Sequence, residues 1–255
     1  MMISDIKKLI KQILLGMNDS TGLSNNKNNR DNWLAKILHE IPEGSRILDA
    51  GAGELRNKPL CSHLNYVSQD FGEYQGNDPD NPRLGSRKIW DTSQVDIICD
   101  ITNIPEPDES FDAILCSEVF EHLPNPILAF KELTRLLKPK GRLIITSPFC
   151  SITHQSPYFY QTGFSRFFYD HWCNNLGLQI IELENNGNYF DYLAQELNRL
   201  SSISNKYSKL HLDILSKISK QMLLGFLKRC SYSDSGSDKL LCFGFHLIAE
   251  KKIKK

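Results

Sequence analysis

The sequence predicts an α/β fold: a doubly wound, mostly parallel sheet of seven strands, with helices on both faces and a helical insertion before the last strand. Three observations lead to this prediction. From residue 45 onward, short runs rich in Val, Ile and Leu alternate with helical or turn segments. Such runs are typical of parallel strands, which are buried on both faces. A glycine-rich turn follows the first run, and 255 residues are enough for one large domain.

Two segments precede the first strand. Residues 3–15 have apolar residues at helical spacing, and the polar run 18–32, rich in Asn and Ser, is typical of a mobile linker or loop. Helical spacing returns over residues 33–41. We therefore expect an N-terminal helix and flexible linker over residues 1–29, followed by one domain over residues 30–255.

The strands and the clearest helix can be assigned in order. The helix covers residues 125–137, where Asn125 can cap its start, Pro126 suits its first turn, and Pro139 and Gly141 end it. The predicted strands are RILDAG (46–51), NYVSQDF (65–71), VDIICDI (95–101), FDAILCSE (111–118), GRLIITSP (141–148), LQIIELE (178–184) and a run within 240–252.

Composition and charge are those of an ordinary globular protein. Lys plus Arg equals Asp plus Glu, at 30 each, so we expect no general attraction to nucleic acid. Seven cysteines without a C-x-x-C pattern predict neither a zinc ribbon nor a disulfide framework, and free thiols fit a reducing compartment. The sequence shows no signal-peptide core and no apolar run of the roughly 20 residues that span a bilayer. A cytoplasmic protein is expected.

The glycine-rich turn predicts a cofactor site. Gly51 and Gly53 follow the first strand, where the absence of a Cβ atom lets backbone approach a ligand. Asp70 ends the next strand 17 positions after Gly53, close to the spacing of about 20 typical of an acid that holds ribose hydroxyls. The alternative is a tight strand-to-helix turn without ligand. A dinucleotide fingerprint would need glycine at position 56, which is Arg56, so NAD is disfavoured.

Three blocks together resemble the class I S-adenosylmethionine-dependent methyltransferases (methyltransferase domain 11-like), in particular the small-molecule group that includes quinone and glycan modifiers. They are ILDAGAGE (47–54), DITNIPEPDESFDAILCSEVFEHLPNP (100–126) and ELTRLLKPKGRLIITSP (132–148), in the family's order. The similarity covers about residues 30–186 and implies a Rossmann-like domain that binds S-adenosylmethionine. The family often has a third glycine in the turn, and here that position is Leu55.

The resemblance implies roles for residues at the ends of the first two strands. Asp49, Gly51 and Gly53 would form the first cofactor loop, with Gly51 against the methionine part. Asp70 would hold the ribose diol. The neighbouring Phe71 would be either part of the adenosine wall or a core residue, and the sequence does not separate these.

The resemblance also implies roles for residues after the third and fourth strands. Asp100 would contact the adenine amino group, and Ile101 would pack on the adenine ring. The alternative for Asp100 is a solvated strand end or a helix cap. Ser117 would lie beside the methionine end of the cofactor.

A second stretch, SEVFEHLPNP, contains candidate catalytic and metal-binding residues. If a short helix follows the fourth strand, Glu118, Glu121 and His122 fall on one face. The pattern E-x-x-E-H is similar to the metal-binding motif of some 2′-hydroxyl RNA methyltransferases and a quinone-pathway O-methyltransferase, in which a histidine after the fifth strand completes the site. His154 lies in such a loop. Carboxylates suit Mg²⁺ or Mn²⁺, and imidazoles favour Mn²⁺, Fe²⁺ or Zn²⁺.

The same residues are catalytic candidates without a metal. His122 or His154 could act as a general base for a hydroxyl acceptor, a contribution of roughly 10²–10⁴-fold, and Glu121 joins them as a catalytic candidate. The alternative is that Glu118 and His122 build the cofactor pocket and cap the helix.

Aromatic residues concentrate where the acceptor pocket of such a fold is expected. Ordinary packing of a helix over 165–176 explains most of them, and Tyr158 and Tyr160 are better pocket candidates because they precede that helix. The aromatic residues of the segment 156–172 are Tyr158, Phe159, Tyr160, Phe164, Phe167, Phe168, Tyr169 and Trp172.

The segment 190–230 is predicted to be a helical insertion. Within it, residues 206–230 contain six basic residues and one acid, Asp213, beside apolar residues at helical spacing. A basic amphipathic helix can lie on an anionic membrane, which would suit a lipid-linked acceptor. The alternatives are a helix that covers the domain and a dimer contact, so a monomer and a homodimer both stay open.

We therefore expect an S-adenosylmethionine-dependent methyltransferase that acts by in-line methyl transfer on a hydroxyl of a small molecule or glycan precursor. Three alternatives stay open: a C-methyltransferase acting on a quinone-like acceptor, an RNA 2′-hydroxyl methyltransferase, and a regulator that binds the cofactor without turnover. Zero net charge argues against the RNA enzyme.

Overall fold

A computed structural model describes residues 23–74, 76 and 90–253. Its seven-stranded sheet has the order β3-β2-β1-β4-β5-β7-β6. Strands β1 to β5 are parallel, whereas β7 is antiparallel to both β5 and β6. The strands are β1 Arg46–Ala50, β2 Asn65–Asp70, β3 Ile97–Ile98, β4 Phe111–Ser117, β5 Leu137–Pro148, β6 Leu178–Asn186 and β7 Gly244–Lys251. The predicted fold class and all seven strands are confirmed.

One helix precedes β1, and the others lie between later strands. They are α1 Leu23–His39, α2 Pro126–Leu136, α3 Arg166–Asn175, α4 Tyr189–Ile203 and α5 Ile214–Tyr232. The side chain of Asn125 accepts a hydrogen bond from the backbone N–H of Leu128 at 3.2 Å, so the predicted cap of α2 is confirmed. The last two helices confirm the predicted helical insertion before β7. Among the described residues, no helix combines the length and apolar character needed to cross a bilayer.

Helix α1 begins ten residues before the helix predicted over residues 33–41. The run 23–32 is therefore helical, and its prediction as a linker or loop is wrong. Its Asn-rich composition has weak helix propensity, which tertiary contacts override. Arg30 provides one of these contacts, since its Nη1 donates to Glu118 Oε2 at 2.6 Å. Residues 1–22, with the predicted N-terminal helix and the first part of the predicted linker, lie outside the described residues.

Strand β5 also begins earlier than predicted. Leu137 directly follows α2 and pairs with Phe111 of β4, after which the register shifts before Ala113. Pro139 therefore lies within the first residues of the strand. This start depends on pairing with β4, which local sequence does not reveal.

The chain divides into two compact units, each with its own core. Of the described residues, one unit contains those within 30–186 and 244–253, and the other contains 23–29 and 187–243. In the first, the apolar face of α1 packs on the sheet; this core contains Trp33, Leu34, Ile37, Leu38, Ile41, Ile47, Cys61, Leu64, Ala113, Leu115, Ile144 and Ile248. In the second, α4 and α5 bury Ala194, Leu224 and Leu227.

Candidate active site

The glycine-rich turn lies at the carboxyl end of β1, where the neighbouring strands β2 and β4 extend the sheet in opposite directions. This is the position at which doubly wound sheets bind ligands. Gly51 and Gly53 both have positive φ, at 77° and 51°. The N–H groups of Gly51 and Ala52 donate to Gln69 O at 2.8 and 2.9 Å. The N–H of Gly53 donates to Asp70 Oδ2 at 2.8 Å.

Close contacts within the chain require glycine at both positions. A Cβ atom on Gly51 would lie 2.4 Å from Val119 Cγ2, and one on Gly53 would lie 2.8 Å from the Trp90 ring. Both distances are too short for carbon atoms, and positive φ adds strain for other residues. The bare backbone thus accommodates Val119 and Trp90. Its predicted approach to a cofactor stays a prediction.

Asp70 connects the ends of β1 and β2. Its side chain is buried, and Oδ1 accepts from the N–H of Gly72 at 2.9 Å while Oδ2 accepts from Gly53. Each carboxylate oxygen has a second lone pair that a ligand hydroxyl could use. The next residue, Phe71, is exposed, and its ring meets the edge of Tyr158 with centroids 5.0 Å apart. Phe71 is therefore not a core residue.

Asp49 is turned toward β2. Its Oδ2 accepts from the Tyr66 hydroxyl at 2.7 Å and from Asn57 Nδ2 at 3.3 Å. Burial raises the pKa of Asp49 to about 6, although both hydrogen bonds lower it. These contacts are structural, and a direct cofactor role for Asp49 stays a prediction.

The residues expected around the adenine and methionine ends lie at the carboxyl ends of β3 and β4, respectively. Asp100 is exposed and its Oδ1 accepts from both the N–H and the Oγ1 of Thr102, each at 2.8 Å. The cap-like alternative therefore describes part of its role. Ile101 is buried. The hydroxyl of Ser117, at the end of β4, hydrogen-bonds to Thr146 Oγ1 at 2.8 Å.

Glu118 does not share a helical face with Glu121 and His122, so that expectation is wrong. Glu118 has a φ of 55°, and a single 3₁₀ turn follows at Phe120–His122. The carboxylate of Glu118 instead accepts from Arg30 at 2.6 Å and from Thr146 at 3.1 Å. These partners hold it apart from the group of residues that could bind a metal.

Glu121, His122 and His154 form that group. Their potential ligand atoms all lie within 4.8 Å of one another. Glu121 Oε1 is 3.7 Å from His122 Nε2, and the rings of His122 and His154 meet edge to face with centroids 4.8 Å apart. Neither Glu121 Oε2 nor His122 Nε2, both buried, has a hydrogen-bond partner among the residues that the structure describes. The sequence prediction correctly brings these three residues together.

The loop after β5 is clamped onto this cluster. The N–H groups of Tyr160 and Gln161 both donate to the backbone carbonyl of Glu121, at 3.0 and 3.1 Å. His122 Nδ1 lies 2.6 Å from the carbonyl of Tyr158. A carbonyl can only accept, so Nδ1 carries the proton and Nε2 presents a lone pair. This hydrogen bond prepares His122 Nε2 as a metal ligand or a proton acceptor.

Burial controls the charge of the cluster. Burial, together with a smaller contribution from His154, lowers the pKa of His122 to about 4. Its imidazole is therefore neutral near pH 7. Burial and the nearby Glu118 carboxylate raise the pKa of Glu121 well above its usual value. Burial therefore favours the neutral form of the Glu121 carboxyl, whereas a bound cation would favour its charged form.

Two side chains at the site have no role in the sequence prediction. Arg30 reaches Glu118 from α1, and Trp90 lies against Gly53 with its ring edge-on to Tyr74 at 4.9 Å. Arg30 lies in the polar run that resembles a linker. Trp90 follows the turn by 37 positions, so no local pattern connects them.

Residues 48–145 match a family model described as a methyltransferase domain. The match begins in β1 and ends in β5, so it includes the glycine-rich turn, Asp70, Asp100, Glu121 and His122. Over these residues the chain is similar to a methyltransferase domain.

Curated relatives match a similar part of the chain. A demethylmenaquinone methyltransferase from Clavibacter sepedonicus is 33% identical over 105 residues, 40% of this chain and 40% of that protein. A ubiquinone biosynthesis O-methyltransferase from Bradyrhizobium diazoefficiens is 29% identical over 107 residues, 41% of this chain and 40% of that protein. The chain thus spans about two fifths of the length of these relatives.

Solved structures share the fold over most of the chain. A protein from Galdieria sulphuraria, provisionally assigned as a sarcosine dimethylglycine methyltransferase, has a TM-score of 0.54 and 18% identity, over 88% of this chain and 86% of that chain. Phosphoethanolamine N-methyltransferase 2 from Haemonchus contortus, solved in complex with S-adenosyl-L-methionine, has a TM-score of 0.50 and 17% identity, over 89% of this chain and 53% of that chain. At these identities the likeness concerns the fold alone.

Proposed function

We propose that the protein is an S-adenosylmethionine-dependent methyltransferase that methylates a hydroxyl of a small molecule or glycan precursor. The observation that carries the hydroxyl acceptor is the Glu121, His122 and His154 cluster, which presents an unpaired imidazole nitrogen. The cluster lies beside the turn that would hold the cofactor, because Val119 packs against Gly51. The methyltransferase domain and the ubiquinone-pathway O-methyltransferase relative support this proposal.

The residues at the strand ends fit the cofactor. Asp70 ends β2 and Asp100 lies two residues after the paired strand β3, since Asp70 is opposite Ile98 in the β2–β3 ladder. Asp70 would hold the ribose diol. Both hydrogen bonds from Thr102 go to Oδ1 of Asp100, which leaves Oδ2 for the adenine amino group. The exposed ring of Phe71 would form an adenosine wall, Ile101 would pack on the adenine, and Ser117 would lie at the methionine end.

S-adenosylmethionine supplies an electrophilic methyl group on a sulfonium. The residues of this chain would align the acceptor oxygen with that group, and such positioning contributes about 7–11 kcal/mol in favourable cases. In the absence of a cation, His122 Nε2, unprotonated and buried, would take the hydroxyl proton. His154 stands against the same ring and would share this role.

As the alternative to a general base, we propose that a divalent cation binds Glu121, His122 and His154, because a cation would occupy the His122 Nε2 lone pair. Two imidazoles and one carboxylate form a donor set that suits Mn²⁺, Fe²⁺ or Zn²⁺ better than Mg²⁺. A cation would neutralise the buried carboxylate and lower the pKa of an acceptor hydroxyl. Glu118, which pairs with Arg30, would join only after that ion pair opens.

A second candidate is methyl transfer to a carbon of a quinone-like acceptor. The similarity to a demethylmenaquinone methyltransferase favours it. Activity on a ring whose hydroxyls are already methyl ethers would distinguish this candidate, because only a ring carbon of such a compound can still accept a methyl group.

The cofactor site is tested by calorimetric titration with S-adenosylhomocysteine. Asp70→Asn should weaken binding roughly 10- to 150-fold, because a hydrogen bond to a charged group contributes about 1.5–3 kcal/mol. Asp96→Asn is the matched control, since its carboxylate accepts from the Ser68 N–H at 2.8 Å instead. Wild-type affinity in Asp70→Asn would remove Asp70 from the cofactor site.

The acceptor chemistry is tested with a panel of catechols, hydroquinols and nucleotide-linked sugars, with the methylated position read by tandem mass spectrometry. We expect a methyl ether product. Chelator should lower turnover, Mn²⁺ should restore it, and Glu121→Gln should abolish the restoration while Glu118→Gln retains it. Full turnover in chelator would exclude the cation, and tight cofactor binding without any product would favour a regulator.

A further inference from the structure

The helical hairpin formed by α4 and α5 has one buried and one exposed apolar face. The helices are antiparallel, because Asn188 Nδ2 donates to Ser231 Oγ at 3.1 Å at one end while Lys220 Nζ lies 3.4 Å from Asn198 O further along. Leu224 and Leu227 of α5 face α4 and are buried. The hairpin thus buries its inner face without using the outer face of α5.

The outer face of α5 is apolar. Leu215, Met222 and Phe226 are spaced by seven and four residues, which places them on one side of the helix, opposite Leu224 and Leu227. Their exposed fractions are 72%, 67% and 52%. Further exposed large side chains lie at Tyr207 and Leu210, before α5, and at Ile214, its first residue. An apolar surface of this kind on a folded chain marks an interaction site.

Positive charge lies at one edge of this surface, where Arg229 follows Phe226 by three residues, and in the segment before α5, whereas Lys217, Lys220 and Lys228 lie on the side of the helix that carries Leu224. Between residues 206 and 230 the basic residues are Lys206, Lys209, Lys217, Lys220, Lys228 and Arg229. The one acid in that range, Asp213, caps α5 by accepting from the Ser216 N–H at 2.7 Å. An apolar face with basic residues beside it is complementary to an anionic lipid bilayer.

We propose that this face, defined by Leu215, Met222 and Phe226 and called the docking face, binds the surface of an anionic membrane. A second copy of the chain fits less well, because a symmetric contact would bring two strongly basic segments together. Residues 1–16 also carry more Lys than Asp or Glu, so charge does not favour them as the occupant. Binding would place the methyltransferase domain beside acceptors carried by lipids.

The experiment is co-sedimentation of the full chain with vesicles of phosphatidylcholine, with or without phosphatidylglycerol, and it requires no turnover. We expect binding to the anionic vesicles, weaker binding to the neutral ones, and release in high salt. Leu215→Ser, Met222→Ser and Phe226→Ser combined should lower partitioning at least tenfold. Lys206→Glu with Lys209→Glu should lower it only on anionic vesicles.

A matched control replaces exposed apolar residues outside the hairpin. Leu128→Ser with Ile181→Ser should leave partitioning unchanged. The docking-face variant should keep its circular dichroism spectrum and its affinity for S-adenosylhomocysteine, which separates this proposal from the proposed function. Unchanged vesicle binding of a folded docking-face variant would overturn the proposal. The proposal would also be overturned if the wild type did not bind vesicles. In that case, light scattering that shows a wild-type dimer and a monomeric docking-face variant would identify the face as a dimer contact.

Discussion

Replacing Asp49 with asparagine removes one buried titratable carboxyl group from the sheet. Asp49 lies on β1 with 1% of its surface exposed and accepts hydrogen bonds from Tyr66 and Asn57. Burial raises its pKa from 3.8 to about 6, with a smaller contribution from the Asp70 carboxylate. Asparagine has nearly the same shape and keeps an acceptor for Tyr66, so the variant mainly removes the titrating proton.

The sign and size of the effect follow from linkage. The folded state binds the Asp49 proton more tightly than the unfolded state, so this contribution is fully present below pH 3.8 and is lost as pH rises through 6. The full shift corresponds to about 3 kcal/mol. Between pH 4.5 and 7.5 about 2 kcal/mol of it falls within the measured window. As pH rises from 4.5 to 7.5, the free energy of unfolding of Asp49→Asn should therefore rise by about 2 kcal/mol relative to that of the wild type.

The assay is urea denaturation of both proteins at a series of pH values. Asp96→Asn provides a control of opposite sign, because hydrogen bonds from Ser68 lower the pKa of Asp96 despite some burial. The free-energy difference between that variant and wild type should not rise with pH. A difference between Asp49→Asn and wild type that stays constant within about 0.5 kcal/mol would refute the raised pKa.

Three further predictions concern stability. Gly51→Ala should cost about 2–5 kcal/mol in urea denaturation, because its Cβ would strike Val119 at positive φ, whereas Gly177→Ala, with open space at similar φ, should cost about 1–2 kcal/mol. Burial lowers the pKa of His246 from 6.5 to about 4, so wild type loses stability as pH falls through this window; His246→Phe should gain stability relative to wild type on acidification. Leu227→Ala should lower the free energy of unfolding by about 2–5 kcal/mol, measured by differential scanning calorimetry, because it leaves a cavity between α4 and α5.

The elements with local signals were predictable. Each strand is a short apolar run between turn residues, and Asn125 with Pro126 marks the start of α2. The glycine-rich turn is recognisable because positive φ restricts the residues that fit there. These signals depend on a few neighbouring residues, which the sequence displays directly.

Elements that depend on distant contacts were not predictable. The first ten residues of α1 resemble a loop because their composition is polar, yet Arg30 binds Glu118 from this segment. The same ion pair, with Thr146, holds Glu118 apart from Glu121. No local pattern contains these pairings, since they join residues far apart in the chain.

The sequence by itself determined the α/β class and the seven strands, because periodicity and turn chemistry are local properties, while the resemblance to a metal-binding motif indicated the grouping of Glu121, His122 and His154 with Glu118. Only the tertiary structure decided which carboxylate stays in that group, what fills the space over Gly51 and Gly53, and which face of α5 is exposed. Those outcomes depend on which side chains meet across the fold, and only packing decides that.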